Sequence, residues 1–456
     1  MQLRHTWALA LACILACKGG RPRAESTPAK TEEPEATVAH DADFTYWNRV
    51  AGILETHCTK CHADGGIAPM PLGTFEQAKQ HAGAIAFQTR ERHMPPWLPD
   101  TSACTPLEHS RAMPEADIAA LARWAELGAP EGRFEDHRAP VVKKTYATLP
   151  PTPDLVGSPE SAYTPKKVRG DDYRCFVIDP KLDRPAMITG LRIAPGVPAI
   201  VHHVLLFEVR ESAIARVKEL ERGAARSPND GPGYTCFGGI GVQPTVRAGD
   251  LAKGELVDFD AQMIVGWAPG GGATDLPGAP TALPKGTGIK LASGSRLVMQ
   301  VHYSLDNFHA GMKDKTRIDM WLAKDNESRR QAVWVPLLKW RFRVPPNVGP
   351  DDPRASTHAD VELPLPLTVL GVAPHMHLRG KEIKVEAIGS DPSCLLDVPR
   401  WDFHHQEAYW LAEGKRVSRA RVSCTWDNRK KPSKELRWGE GTNDEMCLAF
   451  LYATLL

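Results

Sequence analysis

Gly371-Val372-Ala373-Pro374-His375-Met376-His377-Leu378-Arg379-Gly380 is the stretch from which the rest of the chain can be read. On an extended strand residues two apart share a face, so His375 and His377 can offer two imidazoles to one metal while Met376 turns the other way. Read with His202-His203, His302 and Met446, the donors are imidazole nitrogens completed by a thioether. That set suits copper better than calcium or magnesium, which prefer oxygen. Zinc could be held by the histidines alone.

Working outward, residues 187–193, 199–209, 296–305, 317–323, 365–373, 381–388, 418–426 and 446–455 are short β-rich runs separated by Gly, Pro and Asn. With few helical periods between them, the pattern predicts antiparallel β-sandwiches in place of βαβ units. Residues 211–222 form the one helix candidate in this region, and no repeat of fixed length is seen.

The chain has 456 residues, enough for two or three domains. Lys and Arg total 56 against 55 Asp and Glu, a formal charge of +1, which gives no electrostatic footprint for nucleic acid. Residues 7–17 are apolar but too few to span a bilayer, and with Arg4 ahead of them they read as an export signal. Ile14-Leu15-Ala16-Cys17 resembles a bacterial lipoprotein box, which would place a lipid on Cys17; simple secretion is the alternative. Either route predicts the periplasm or outer membrane of a Gram-negative cell, where disulfides form. Residues 18–44, rich in Pro, Glu, Ala, Thr and Lys, read as a flexible tether.

Cys58-Thr59-Lys60-Cys61-His62 is C-x-x-C-H, the attachment signature of a c-type haem: two thiols bond the porphyrin and His62 supplies an axial imidazole. A bare C-x-x-C would also fit a redox pair or half a zinc site; the adjoining histidine and exported context favour haem. Helical patterns over residues 47–56, 75–90 and 114–127, with Gly128 as a stop, predict a small all-α domain over residues 45–131 that resembles the cytochrome c family. Met94, in the Pro-rich run Arg92-His93-Met94-Pro95-Pro96-Trp97, is the expected second axial ligand, with His93, His81, Met70 and Met113 as rivals. A methionine there would raise the reduction potential, which suits an electron relay. Residues 132–166 read as a linker.

Val201-His202-His203-Val204, Trp267-Ala268-Pro269, Leu283-Pro284-Lys285-Gly286, Gln300-Val301-His302-Tyr303, His375-Met376-His377 and Asp444-Glu445-Met446-Cys447 occur in this order. In these motifs the chain resembles the copper type II, ascorbate-dependent monooxygenases, a family that includes peptidylglycine alpha-hydroxylating monooxygenase and dopamine beta-monooxygenase. The resemblance implies two jelly-roll-like β-sandwiches, here residues 167–335 and 336–456. It implies an electron-storing copper on His202, His203 and His302, and an oxygen-activating copper on His375, His377 and Met446. It also implies disulfides Cys175–Cys236 and Cys424–Cys447, the second holding the neighbour of Met446. Two points stay open from the residues themselves. Adjacent histidines at 202 and 203 point to opposite sides of a flat strand, so twist, a bulge or an edge position must bring them together. Cys104 and Cys394 have no assigned partners; pairing with each other, which would staple the small domain to the copper region, is one arrangement.

The departures from the family matter too. Where the peptide-amidating members have an arginine two residues before the first His of His-x-His, this chain has Ala373, and Leu448 and Phe450 replace an asparagine and a tyrosine that hold a substrate carboxylate. An apolar surface cannot repay the desolvation of a carboxylate, so peptidyl-glycine is not expected as substrate. The resulting expectation is a monooxygenase that hydroxylates a C–H bond of a small organic molecule with dioxygen. Its electrons would come from ascorbate or, through the attached haem, from a periplasmic or membrane donor. The alternative is a non-enzymatic copper-binding or copper/haem electron-transfer protein; a zinc hydrolase would need a Glu general base beside the histidines, and none is evident.

Overall fold

The computed structural model describes residues 41, 44–59, 61–64, 68, 70–100, 102, 104–108, 110–139, 149–166, 171–224, 231–237, 239–242, 246–248, 257–267, 281–304, 311–324, 328–403, 405–439, 441 and 443–455. The expected export signal and lipid site at Cys17, nearly all of the tether, and Ala268 and Pro269 lie outside these residues.

A π-helical turn, Tyr46–Val50, capped by the Thr45 side chain, leads into α1 (Ala51–His57). The single helical run expected over residues 75–90 is two helices, α2 (Phe75–Gln80) and α3 (Ala82–Arg90), because the backbone of His81 leaves the helical region at φ −110° and ψ 10°. A capping box between Thr74 and Gln77 starts α2. In α4 (Glu115–Glu126), Ile118, Leu121 and Trp124 recur at helical spacing on one face and are buried. Gly128, at φ +80°, stands just beyond its end as the sequence indicated. These helices share a core that includes Val50, Leu54, Ile85, Leu121 and Trp124.

The remainder is mostly β-sheet. The first strands are β1 (Leu155–Gly157), β2 (Asp171–Ile178), β3 (Ala186–Ala194) and β4 (Val201–Val209), followed by α5 (Glu211–Ala224). Next come β5 (Tyr234–Thr235), β6 (Val246–Ala248), β7 (Val257–Phe259), β8 (Ala261–Trp267), β9 (Thr281–Ala282), β10 (Thr287–Leu291), β11 (Arg296–Ser304) and β12 (Arg317–Leu322). The last are β13 (Arg330–Leu338), β14 (Ser356–His375), β15 (Gly380–Ala387), β16 (Ser393–Val398), β17 (Tyr409–Trp426) and β18 (Leu448–Leu455). A five-stranded sheet runs β5-β2-β11-β4-β8, and β6 pairs with β7. The larger sheet runs β1-β12-β3-β10-β13-β18-β14-β17-β15-β16, with β9 added on β3.

One hydrophobic core joins the five-stranded sheet to β3, β10 and β12: Val204, Leu206 and Met299 meet Ile188, Ile289 and Ile318. A second lies within the wrapped strands β13 to β18, around Val369, Val385, Leu396, Val422 and Leu451. The long strand β14 serves both. Leu367 and Val369 face the second core; opposite β18 the register then slips between Val369 and Gly371, leaving Leu370 extra. A bulge of one residue reverses the alternation, so the even positions Val372 and Met376 now take the core side. Gly371 permits the local geometry, since a Cβ there would meet the Trp410 ring at 2.5 Å.

Disulfides join Cys175 to Cys236 and Cys424 to Cys447, as the resemblance implied. The question left open at Cys104 and Cys394 is answered by a bond between them, across 290 residues of chain. It anchors the segment between α3 and α4 along the second β region. Thr105 N–H donates to the Cys394 carbonyl at 2.9 Å, Glu108 N–H to Trp410 at 2.8 Å, and Ala412 N–H to Pro106 at 2.8 Å. Arg111 grips the buried Glu407 carboxylate with two guanidinium nitrogens, one at 2.9 Å.

Candidate metal centres

His203 on β4 stands opposite His302 on β11, but the next ladder pair is Val201 with Tyr303. His202 is thus the extra residue of a bulge, which is how two neighbouring side chains come to one side. The ring nitrogens of His202, His203 and His302 lie within 4.8 Å of one another. The Nδ1 atoms face each other, at 3.4 Å between His202 and His203 and 3.1 Å between His203 and His302. Burial and the neighbouring imidazoles hold His203 well below the usual histidine range, so it is a neutral donor. Tyr173, opposite His302 on β2, stacks on that imidazole with centroids 4.2 Å apart and planes 5° off parallel. Three convergent imidazole nitrogens fit copper or zinc.

The second group sits at the end of β14. Met376 is fully buried in the core, while His375 and His377 come together with ring centroids 5.1 Å apart. His375 Nδ1 donates to Gln406 Oε1 at 2.7 Å, and the Gln406 amide is itself fixed by donating to the Phe403 carbonyl at 2.7 Å. His377 Nδ1 donates to the Asp444 carbonyl at 3.1 Å. Both bonds commit Nδ1 and leave Nε2 as the lone-pair nitrogen. Burial lowers the pKa of both rings, that of His377 to about 3, so both stay neutral.

Met446, only 6% exposed, lines the same cavity as these two rings. It is held between two buried neighbours. Cys447 is bonded to Cys424. The Glu445 carboxylate accepts from His377 N at 3.0 Å, Arg379 N at 2.6 Å and Trp426 Nε1 at 2.9 Å, tying the methionine loop to the His-Met-His turn. Burial raises the Glu445 carboxyl to about 7 against these donors. Two nitrogens with a thioether form a softer donor set than the three histidines, one that favours Cu(I).

Both groups belong to one region. A cavity of about 350 Å³ is lined by His203, His375, His377 and Met446 together. Phe403 touches both groups: its ring stacks on His202 at 5.0 Å and meets His377 edge-on at 5.7 Å. Sequence reasoning missed Gln406, Phe403 and Tyr173 altogether and gave Glu445 no role. The first two lie in a loop with no strand period, so only tertiary proximity reveals them; Glu445 sat inside a quoted motif.

At the C-x-x-C-H motif, neither Cys58 nor Cys61 is in a disulfide, and burial aided by Cys61 pushes the Cys58 thiol up to about 12. Cys58 packs on the helical core. His62, 8% exposed, donates from Nδ1 to the Met70 carbonyl at 2.9 Å, again leaving Nε2 as donor. These residues fit an attached haem: two thiols at the motif spacing and an imidazole with its ring oriented. Met94 follows α3, half-buried, with its N–H donated to Gln88. Met113, one of the rivals, is the methionine of the buried helical core that Cys58 contacts.

Residues 354–453 match the family described as copper type II ascorbate-dependent monooxygenase, C-terminal domain. That span holds His375, His377 and Met446. No curated protein matches the chain. Solved structures give distant likenesses. PNGF-II aligns at 10% identity over 66% of this chain with a TM-score of 0.29, and this chain spans 65% of its length. An allantoicase aligns at 9% identity over 63% of this chain and 80% of its own, with a TM-score of 0.17. A fucolectin from striped bass (Morone saxatilis) serum aligns at 10% identity over 63% and 84%, also with a TM-score of 0.17.

Proposed function

We propose that this chain is a copper-dependent monooxygenase that hydroxylates a C–H bond of a small organic substrate using dioxygen. The observation that carries the reading is the pairing of two imidazole groups on one cavity, the second accompanied by Met446 within the span matching the family. His202, His203 and His302 would hold the copper that stores an electron, and His375, His377 and Met446 the one that meets dioxygen. When bound, the metals supply one-electron chemistry and dioxygen activation. The chain's own part is to hold His203, His375 and His377 neutral by burial, fix ring orientation through Gln406 and the Asp444 carbonyl, and present substrate beside His375.

Ascorbate is the donor in the matching family. The C-x-x-C-H motif and the Cys104–Cys394 link support a further reading: Cys58, Cys61 and His62 hold a haem, with Met94 proposed as its second ligand, and this haem accepts electrons from an outside donor. Export, with or without a lipid on Cys17, belongs to the same proposal.

Copper titration of purified protein should reach two ions per chain, and Met446→Ile should keep the three-histidine copper while abolishing substrate-coupled dioxygen uptake. A single copper in the parent protein, or unchanged coupled uptake in the variant, would sink the assignment. The haem proposal is separate: stopped-flow reduction should show the haem reoxidising only when copper, dioxygen and substrate are all present.

A further inference from the structure

The walls of the cavity beside His375 specify what can enter it. In the ladder between β14 and β18, His375 stands opposite Leu448 and Ala373 opposite Phe450. Positions 373 and 375, like 448 and 450, alternate onto one face, so the floor adjoining the histidine is apolar. Beyond that floor the cavity is lined by Met263, Trp267, Trp334 and Trp410, with Leu191 and Ile193.

Two charged side chains, Arg192 and Glu407, lie among the described lining residues. Each has a partner within the protein. Arg192 grips the fully buried Asp319 carboxylate through Nε at 2.6 Å and through Nη2. Glu407 is paired with Arg111. A ligand carboxylate or ammonium entering here would lose its water and find these charges already engaged.

We infer that the substrate is an uncharged, largely apolar molecule, taken into the cavity by burial against the tryptophans and the Ala373-Leu448-Phe450 floor. A cavity of about 150 Å³ holds benzene, so about 350 Å³ admits roughly a dozen non-hydrogen atoms. The inference rests on the oxygenase reading only in calling the occupant a substrate.

The test is isothermal titration calorimetry at pH 7 on the full chain, with and without copper, using 4-phenylbutan-1-ol, 4-phenylbutanoate and 4-phenylbutylamine, which share one skeleton. The alcohol is expected to bind at least tenfold more tightly than either ion. Ala373→Arg should move the preference to the carboxylate; should that variant not fold, Leu448→Asp, at a half-buried position, should move it to the amine. Equal or tighter binding of either ion to the parent protein, or saturable binding of none of the three, overturns the inference. Copper content and dioxygen uptake on the same samples report on the oxygenase reading separately: two coppers with coupled uptake alongside tight ion binding overturns only the substrate class.

Discussion

At the scale of single residues, the candidate ligands could be named from the sequence, but the groups that orient them could not. His375 and His377 declared themselves through i, i+2 spacing, and the full burial of Met376 follows from the same alternation. Gln406 lies 31 residues further on in an irregular loop, yet it alone sets the tautomer of His375 among the contacts described. Replacing it by Leu keeps the bulk and removes the acceptor, leaving Nδ1–H without its 2.7 Å partner. Loss of such an orienting partner typically costs about 10–100-fold in metal affinity. Gln406→Leu is therefore expected to weaken one of two coppers by that factor while the three-histidine copper keeps its affinity, as read by competition with a Cu(I) chelator. Equal weakening of both would mean that the substitution acts through general unfolding.

At the scale of elements, strand positions were legible because alternation and turn residues mark them, whereas the phase of alternation within β14 was not. A bulge carries no residue signature strong enough to find, and Leu370 looks like any strand residue. Its effect is large: upstream, odd positions such as Val369 face the core, and downstream the even positions do. At His202 the sequence required twist, a bulge or an edge position without choosing among them, and the Val201–Tyr303 pairing makes it a bulge. Deleting Leu370 would remove the extra residue and turn His375 and Ala373 toward the core, since a shift of one residue exchanges the faces of a strand. The deletion variant should bind one copper per chain in place of two by elemental analysis, with the spectrum of a nitrogen-ligated Cu(II) retained. Two coppers of unchanged affinity would show that the bulge does not set the site.

At the scale of the whole molecule, the helical and β patterns were each legible, but not how they meet, because cysteine partners 290 residues apart cannot be assigned from spacing. The segment that joins them also carries a buried ion pair whose energetics can be tested. Glu407 is nearly buried, and burial raises its carboxyl above the ordinary 4.5 despite the opposing pull of Arg111. Because the folded-state pKa lies above the unfolded one, Glu407 contributes stability at pH values below about 4.5, and that contribution is lost as pH rises through the folded value. Removing the guanidinium in Arg111→Met takes away the attraction and leaves the desolvation, so the carboxyl should rise further and the loss at neutral pH should deepen. Breaking a buried pair from one side typically costs roughly 3–5 kcal/mol, most of it from the stranded charge. Arg111→Met should thus be much less stable than the parent at pH 8 and closer to it at pH 5, by chemical denaturation at each pH. Adding Glu407→Gln should recover most of the loss at pH 8, because the stranded charge is then gone. A pH-independent loss, or no recovery in the double variant, would mean that Arg111 holds the joining segment by packing against Trp97, whose ring lies 5.5 Å from its guanidinium, and not by charge.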